Sequence, residues 1–135
     1  MAAILARVSE LDPADALERL VERYNEAWNA HDVDAIVALH APGMVFENHT
    51  AGERVEGEAV GPHIAEIFSN WPDLSFRGRR LYAREGLVVN EWTASATSDG
   101  RWLEWDGVDI LPIRDGKILR KDVYSTSHRP RVVGE

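Results

Sequence analysis

An acid and a base, Asp109 and Lys121, interrupt the apolar pattern of WDGVDILPIRDGKILRKDVY (105–124), where alternation calls for core residues. If the two runs pair as a hairpin, both charges fall on the face that should be buried. A sheltered carboxylate beside an ammonium can abstract a proton or orient a water, while the cation steadies a developing oxyanion. The lysine favours the ionised form of Asp109, which argues for a base rather than a neutral hydrogen-bond donor. The carboxylate in turn raises the lysine pKa, which counts against Schiff-base chemistry at Lys121. The plainer alternative is a structural ion pair whose charges neutralise each other. Tyr24 sits on an apolar helical face as a core residue or a ligand group, and His40 falls where it can touch Tyr24.

The turn sets which residues meet. Arg114-Asp115-Gly116 suits a three-residue loop with Gly116 in the left-handed position. That register places Ile113 opposite Lys117, Leu111 opposite Leu119, Asp109 opposite Lys121 and Gly107 opposite Val123. A different loop would set Asp109 against Asp122, and a slip of one residue would turn the second strand over. Pro112 cannot donate to a ladder and marks a bulge or an outer position near the turn. Leu103, Trp105, Gly107, Asp109, Leu111 and Ile113 share one face. Trp102, Glu104, Asp106, Val108, Ile110 and Pro112 share the other, a mixed set suited to solvent or a dimer contact.

The elements before the hairpin follow from caps and spacing. Asp12-Pro13 starts a helix, and Leu17, Leu20, Val21, Tyr24 and Trp28 recur at helical intervals. Asn29 to His31 ends it, and Asp32 caps a short second helix carrying Ile36, Val37, Leu39 and His40, broken by Ala41-Pro42-Gly43. MVFEN (44–48) reads as a strand, followed by a polar loop in which the acids at 53, 56 and 58 are solvated. A third helix spans about 58–70, with Ile64, Ile67, Phe68 and Trp71 on one side and Gly61-Pro62 blurring its start. Then Glu85-Gly86, Asp99-Gly100 and Asp115-Gly116 punctuate four strands, about 74–83, 87–97, 101–113 and 117–126. Three helices followed by an antiparallel meander make an α+β domain.

Composition bounds the function. A chain of 135 residues is one domain, 1–135, its core about 12–127 and its basic tail after Ser127 frayed. The start, MAAILARVSE, lacks the basic region of a secretory signal and would dock on the body. A net charge of −8 disfavours nucleic acid, and no apolar run approaches the roughly 18 residues of a membrane span. With no cysteine, disulfides, thiolate nucleophiles and zinc–thiolate sites are excluded and a cytoplasmic protein is expected. No convergent metal ligands or glycine-rich phosphate loop stand out, so neither metal nor other cofactor is expected. His49 and His63 should face outward or into loops, and His31 a helix end.

RYNEAWNAHDVDAIVALHAPGMVFEN (23–48), GEAV (57–60), WPDL (71–74) and GVDILPIRDGKILRKDVY (107–124) carry a resemblance to known proteins. Leu17 to Thr126 resembles the SnoaL-like polyketide cyclases and ketosteroid isomerases of the nuclear transport factor 2-like superfamily. The resemblance implies a cone-shaped curved antiparallel sheet wrapped around three N-terminal helices. It also implies an apolar pocket in the mouth and often a homodimer through the outer sheet face. Tyr24 lies where the isomerases keep an oxygen-binding tyrosine, and Asp109 where they keep an aspartic acid and SnoaL-type cyclases a histidine. The isomerase base falls on Asn48, which takes no proton; limonene epoxide hydrolases also have asparagine there. Their other active positions fall on Trp92, Ala94 and Val123, and the cyclase aspartate falls on Val123 too.

The implied pocket has Asp109, Tyr24, Lys121 and His40 as candidate catalytic groups. Asn48, Trp28, Phe46, Asn90, Trp92, Trp105 and Val123 would bind substrate. The expected function is cofactor-free acid–base chemistry, as a cyclase, isomerase or hydratase, on a small apolar carbonyl compound. The alternatives are a ligand-binding protein without turnover and a dimerising module acting through its sheet exterior near Trp102 and Val108. Tryptophans that filled the pocket completely would favour the last.

Overall fold

A computed structural model describes residues 13–128 and 132–133. The expected Asp12 cap, the apolar start and most of the tail lie outside the described residues. Helix α1 runs Pro13–Asn29 and buries Leu20, Val21, Tyr24, Ala27 and Trp28, the stripe that the helical spacing marks out. His31 ends it in the left-handed region, at φ 54°. Asp32 then caps α2 (Val33–Ala38), its carboxylate accepting from the Ala35 amide at 3.0 Å.

His40 begins a strand instead of closing the second helix. β1 runs His40–Asn48, and Ala41-Pro42-Gly43 lies inside it as an irregular stretch with Gly43 at φ 73°. The polar segment after it is not all loop. β2 (Glu53–Glu56) pairs antiparallel with β1 and leads through a 3-10 turn, Gly57–Ala59, into α3 (Val60–Asn70). Pro62 sits in the first turn of α3, where a missing N–H costs nothing because that turn has no intrahelical acceptor.

The meander follows as β3 (Ser75–Arg84), β4 (Leu87–Ser98), β5 (Arg101–Arg114) and β6 (Lys117–Ser125). Among the described residues six strands form one sheet, in the order β2-β1-β6-β5-β4-β3. One pairing departs from the antiparallel expectation: β1 runs parallel to β6, the last strand of the meander. A bulge between Gly78 and Arg80 and another in β6 curve the sheet over the helices. The core fills the concave side, with Val21, Tyr24, Ile36, Ile64, Leu111 and Ile118 buried.

The last hairpin differs in register from expectation. Its loop has two residues, Asp115 and Gly116, at φ 52° and 71°, as a type I′ turn requires, so Arg114 faces Lys117. Ile113 then pairs with Ile118, whereas farther out Ile110 pairs with Asp122 and Asp109 with Val123. The extra residue on β6 breaks the two-residue alternation, so Ile118, Lys121 and Val123 all point inward. Lys121 therefore shares the face of Asp109 as expected, but as a diagonal neighbour. Pro112 lies within the bulged stretch, as its missing donor anticipates.

Candidate functional site

Asp109 and Lys121 are both buried, at 2% and 6% exposure, with Nζ 3.5 Å from Oδ2. The ammonium also lies 4.1 Å from the ring centre of Trp28, 4.9 Å from Tyr24 and 5.5 Å from Phe46. Two helical residues one turn apart and one residue of β1 thus wrap a cation that β6 delivers through its bulge. Burial pushes the lysine pKa down, and the attraction of Asp109 only partly offsets it. The carboxylate raises it, as expected, but the net shift is downward because so much water is removed from the amine. The other carboxylate oxygen, Oδ1, is buried with no hydrogen-bond partner among the described residues.

Asn90, opposite Asp109 on β4, donates weakly to Oδ2 at 3.4 Å and to Asn25 at 2.9 Å. Tyr24 is fully buried, its hydroxyl 2.9 Å from Nε2 of His40. Burial drives the Tyr24 pKa well above the tyrosine range; the nearby Trp28 indole lowers it and the Asp109 charge raises it further. Among the described residues that indole N–H reaches no acceptor in good hydrogen-bonding geometry. Burial, then the Lys121 charge, lowers the His40 pKa to about 4. The two therefore meet as a neutral pair at pH 7.

Two cavities open on Lys121. The larger, about 620 Å³, is walled by Trp28, Phe46, Trp71, Phe76, Trp92 and Trp105, with Asn48 and Val123 also at its surface. The smaller, about 60 Å³, lies behind and is lined by Asn25, Trp28, Asp109 and Lys121 among others. A water needs roughly 10–15 Å³ of such space, so the smaller one holds a few. Of the expected substrate-binding set, Trp28, Phe46, Asn48, Trp92, Trp105 and Val123 line the large cavity. Asn90 does not; it stands deeper, against Asp109. Asp109 lines only the small cavity, and Tyr24 and His40 line neither. The tryptophans wall the space without filling it.

Trp92 owes its place to Gly107, its direct partner on β5: any Cβ there would run into the indole ring. Asn48 does double duty, its side chain also accepting from the Ala51 amide at 3.0 Å. His63 does not face outward; it lines the large cavity and meets Phe46 edge-on at 5.6 Å. The signal for it was present, since His63, Ile67 and Trp71 recur every four residues and all three reach the cavity. Asn25 is a second residue that spacing marks, one turn before Trp28. Phe76 and Glu53 have no comparable local signal.

His31 stacks on Phe68 at 4.1 Å and bonds the Leu74 carbonyl, a brace rather than a reactive group. His49 sits on the outer face between Glu47 and Asp122. Among the described residues these three bring potential metal-ligand atoms together. The Arg120 guanidinium already bonds both carboxylates, at 3.2 and 2.8 Å, so the cluster is a neutralised ion network. It depresses the Asp122 pKa, Arg120 first and His49 after it. Among the described residues no helix is long and apolar enough to cross a membrane.

The fold has known relatives. The profile described as SnoaL-like domain matches residues 21–121. No curated protein matches. A provisionally assigned SnoaL-like polyketide cyclase from Jannaschia sp. superposes with a TM-score of 0.74 at 18% identity, covering 87% of this chain and 90% of that one. A protein with a ketosteroid isomerase-like fold from Catenulispora acidiphila, solved with trimethylamine, gives 0.73 at 18%, over 78% and 83%. A protein of unknown function with a cystatin-like fold from Xanthomonas campestris gives 0.73 at 21%, over 87% and 92%. At such identities the likeness is one of fold.

Proposed function

The chain belongs to the SnoaL-like domain family, and from that premise we propose that it binds a small, mostly apolar carbonyl compound and moves a proton on it without a cofactor. The observation that carries this is the buried Asp109–Lys121 pair, whose lysine lines an aromatic-walled cavity of about 620 Å³. Apolar walls with a few convergent polar groups suit such a ligand. With its carbonyl oxygen toward Nζ, Lys121 polarises the bond and steadies the enolate that proton loss creates. Asp109, on the far side of the ammonium, is the base, working through the small cavity or a water in it. The products are those of an isomerase, cyclase or hydratase.

Tyr24 and His40 serve from behind, holding the floor in place through their mutual hydrogen bond. Asn48 and the tryptophans orient the ligand. We also propose a cytoplasmic location and a homodimer formed through the convex sheet face, where Tyr82, Trp102 and Tyr124 are exposed.

The decisive measurement compares wild type with Asp109→Asn on a panel of polyketide-like and steroid-like ketones. Compounds are first selected by thermal shift, since only a ligand of the native state raises Tm. Loss of turnover by a factor of about 10² or more, with affinity kept, supports Asp109 as the base. Equal turnover in both proteins removes it. A second reading, ligand binding without turnover, is favoured by the fact that Asp109 does not line the large cavity. Its mark is a saturable thermal shift with no product in wild type.

A further inference from the structure

We propose that Lys121 is a nucleophilic amine that forms a reversible imine with an aldehyde or ketone in the large cavity, Asp109 carrying the protons. This deepens the carbonyl reading above and rests on it. Four observations converge. Lys121 is buried and lines both cavities, so a ligand in the large one lies against its side chain. Its ion-pair partner stands 3.5 Å away, and that partner keeps a second buried oxygen, Oδ1, without a hydrogen bond among the described residues. Three aromatic rings face the nitrogen and suit a cation there, whether ammonium or iminium. Finally, the position holds one of only two lysines among fifteen lysines and arginines in the chain. Arginine is the usual choice for a purely structural buried pair, and it never releases its proton.

The step balances without another reactant. The Lys121 ammonium gives a proton to Asp109, and the freed lone pair attacks the carbonyl carbon while the C=O π electrons move to oxygen. A proton moves from nitrogen to that oxygen, giving a carbinolamine. Asp109 returns its proton to the hydroxyl, the C–O bond breaks, and water leaves as the nitrogen lone pair forms the C=N bond. The product is a protonated imine facing the Asp109 carboxylate, with one water released. The small cavity, lined by both residues, can receive that water. Burial, which disfavours the charged amine, acts in the direction this chemistry needs.

The second lysine is a built-in control. Lys117 is exposed and donates to the Ala38 carbonyl at 2.6 Å. Wild-type protein is incubated at neutral pH with benzaldehyde or cyclohexanone and sodium cyanoborohydride, then analysed by intact mass and peptide mapping. The expected result is one N-alkyl group, on Lys121, in excess over Lys117 by about tenfold or more. Lys121→Arg, folded by circular dichroism, loses that adduct; should it not fold, the Lys121-to-Lys117 ratio in wild type still decides. Label shared equally, or confined to Lys117 and the terminal amine, overturns the proposal. A titration of tryptophan fluorescence without reductant separates the two levels. Saturable quenching with no Lys121 adduct overturns the covalent step and leaves non-covalent carbonyl binding standing. Neither quenching nor adduct overturns both.

Discussion

Two charges held 3.5 Å apart with little water around them lose hydration on both sides, and their attraction offsets the loss only while both are present. Asp109→Asn should therefore cost about 3–5 kcal/mol in chemical denaturation, because it leaves an ammonium among aromatic rings without a counter-charge. Removing both charges, as Asp109→Leu with Lys121→Met, should recover most of that stability while abolishing turnover. A double variant as unstable as the single one would mean that the pair is needed for packing. His40 makes a separate prediction. Its folded pKa of about 4 lies below the ordinary histidine value of 6.5, so the unfolded chain binds the extra proton between those limits. Stability should then rise with pH from 4 to 6.5 and fall as acid is added, by about 2 kcal/mol after discounting its partial exposure. His40→Gln, which still offers Tyr24 an acceptor, should flatten that part of the Tm profile; an unchanged slope would assign it to other groups.

At the level of elements, β5 and β6 show what pattern conveys and what it conceals. Two apolar runs around Asp115-Gly116 announce a hairpin, and Pro112 announces an irregularity. Neither says on which strand the extra residue falls, because a bulge depends on what the whole sheet must curve around. The inward direction of Lys121 was legible nonetheless, since two one-residue displacements in pairing restore the same face. The parallel pairing of β1 with β6 was not legible, being a long-range contact without a local signal. Nor was the strand at His40, where a helix-compatible Ile36, Val37 and Leu39 run straight into it. The contact of Trp92 with Gly107 lies on the other side of β5, in its pairing with β4, and can be tested there. Gly107→Ala should destabilise by about 1–3 kcal/mol, because the indole must leave its place over the glycine. Adding Trp92→Leu should relieve the clash and recover part of the loss. If Gly107→Ala unfolds like wild type in denaturant, with unchanged near-ultraviolet circular dichroism, the ring moves freely and does not define the cavity wall.

Across the whole molecule, the concave side of the sheet carries the core and both cavities, leaving the convex side to explain. There Tyr124, Val108, Glu91 and Arg80 lie in one row, and Asp122, Ile110, Val89 and Tyr82 in the next. The half-buried valines and isoleucine form an apolar centre, with the Arg80–Glu91 and Arg120–Asp122 pairs around it. That is the arrangement of an interface core with a polar rim, and a two-fold axis can set it against itself. Sedimentation velocity should give twice the 15.1 kDa of one chain. Val108→Glu puts a second carboxylate beside Glu91 in the centre of that patch and should weaken self-association by about 100-fold. Because Val108 points away from both cavities, ligand affinity measured on the resulting monomer should stay within about twofold of wild type. A wild-type monomer at high concentration would assign the convex face to solvent. A monomeric variant that also lost its ligand would instead mean that the cavity needs the second copy to hold its shape.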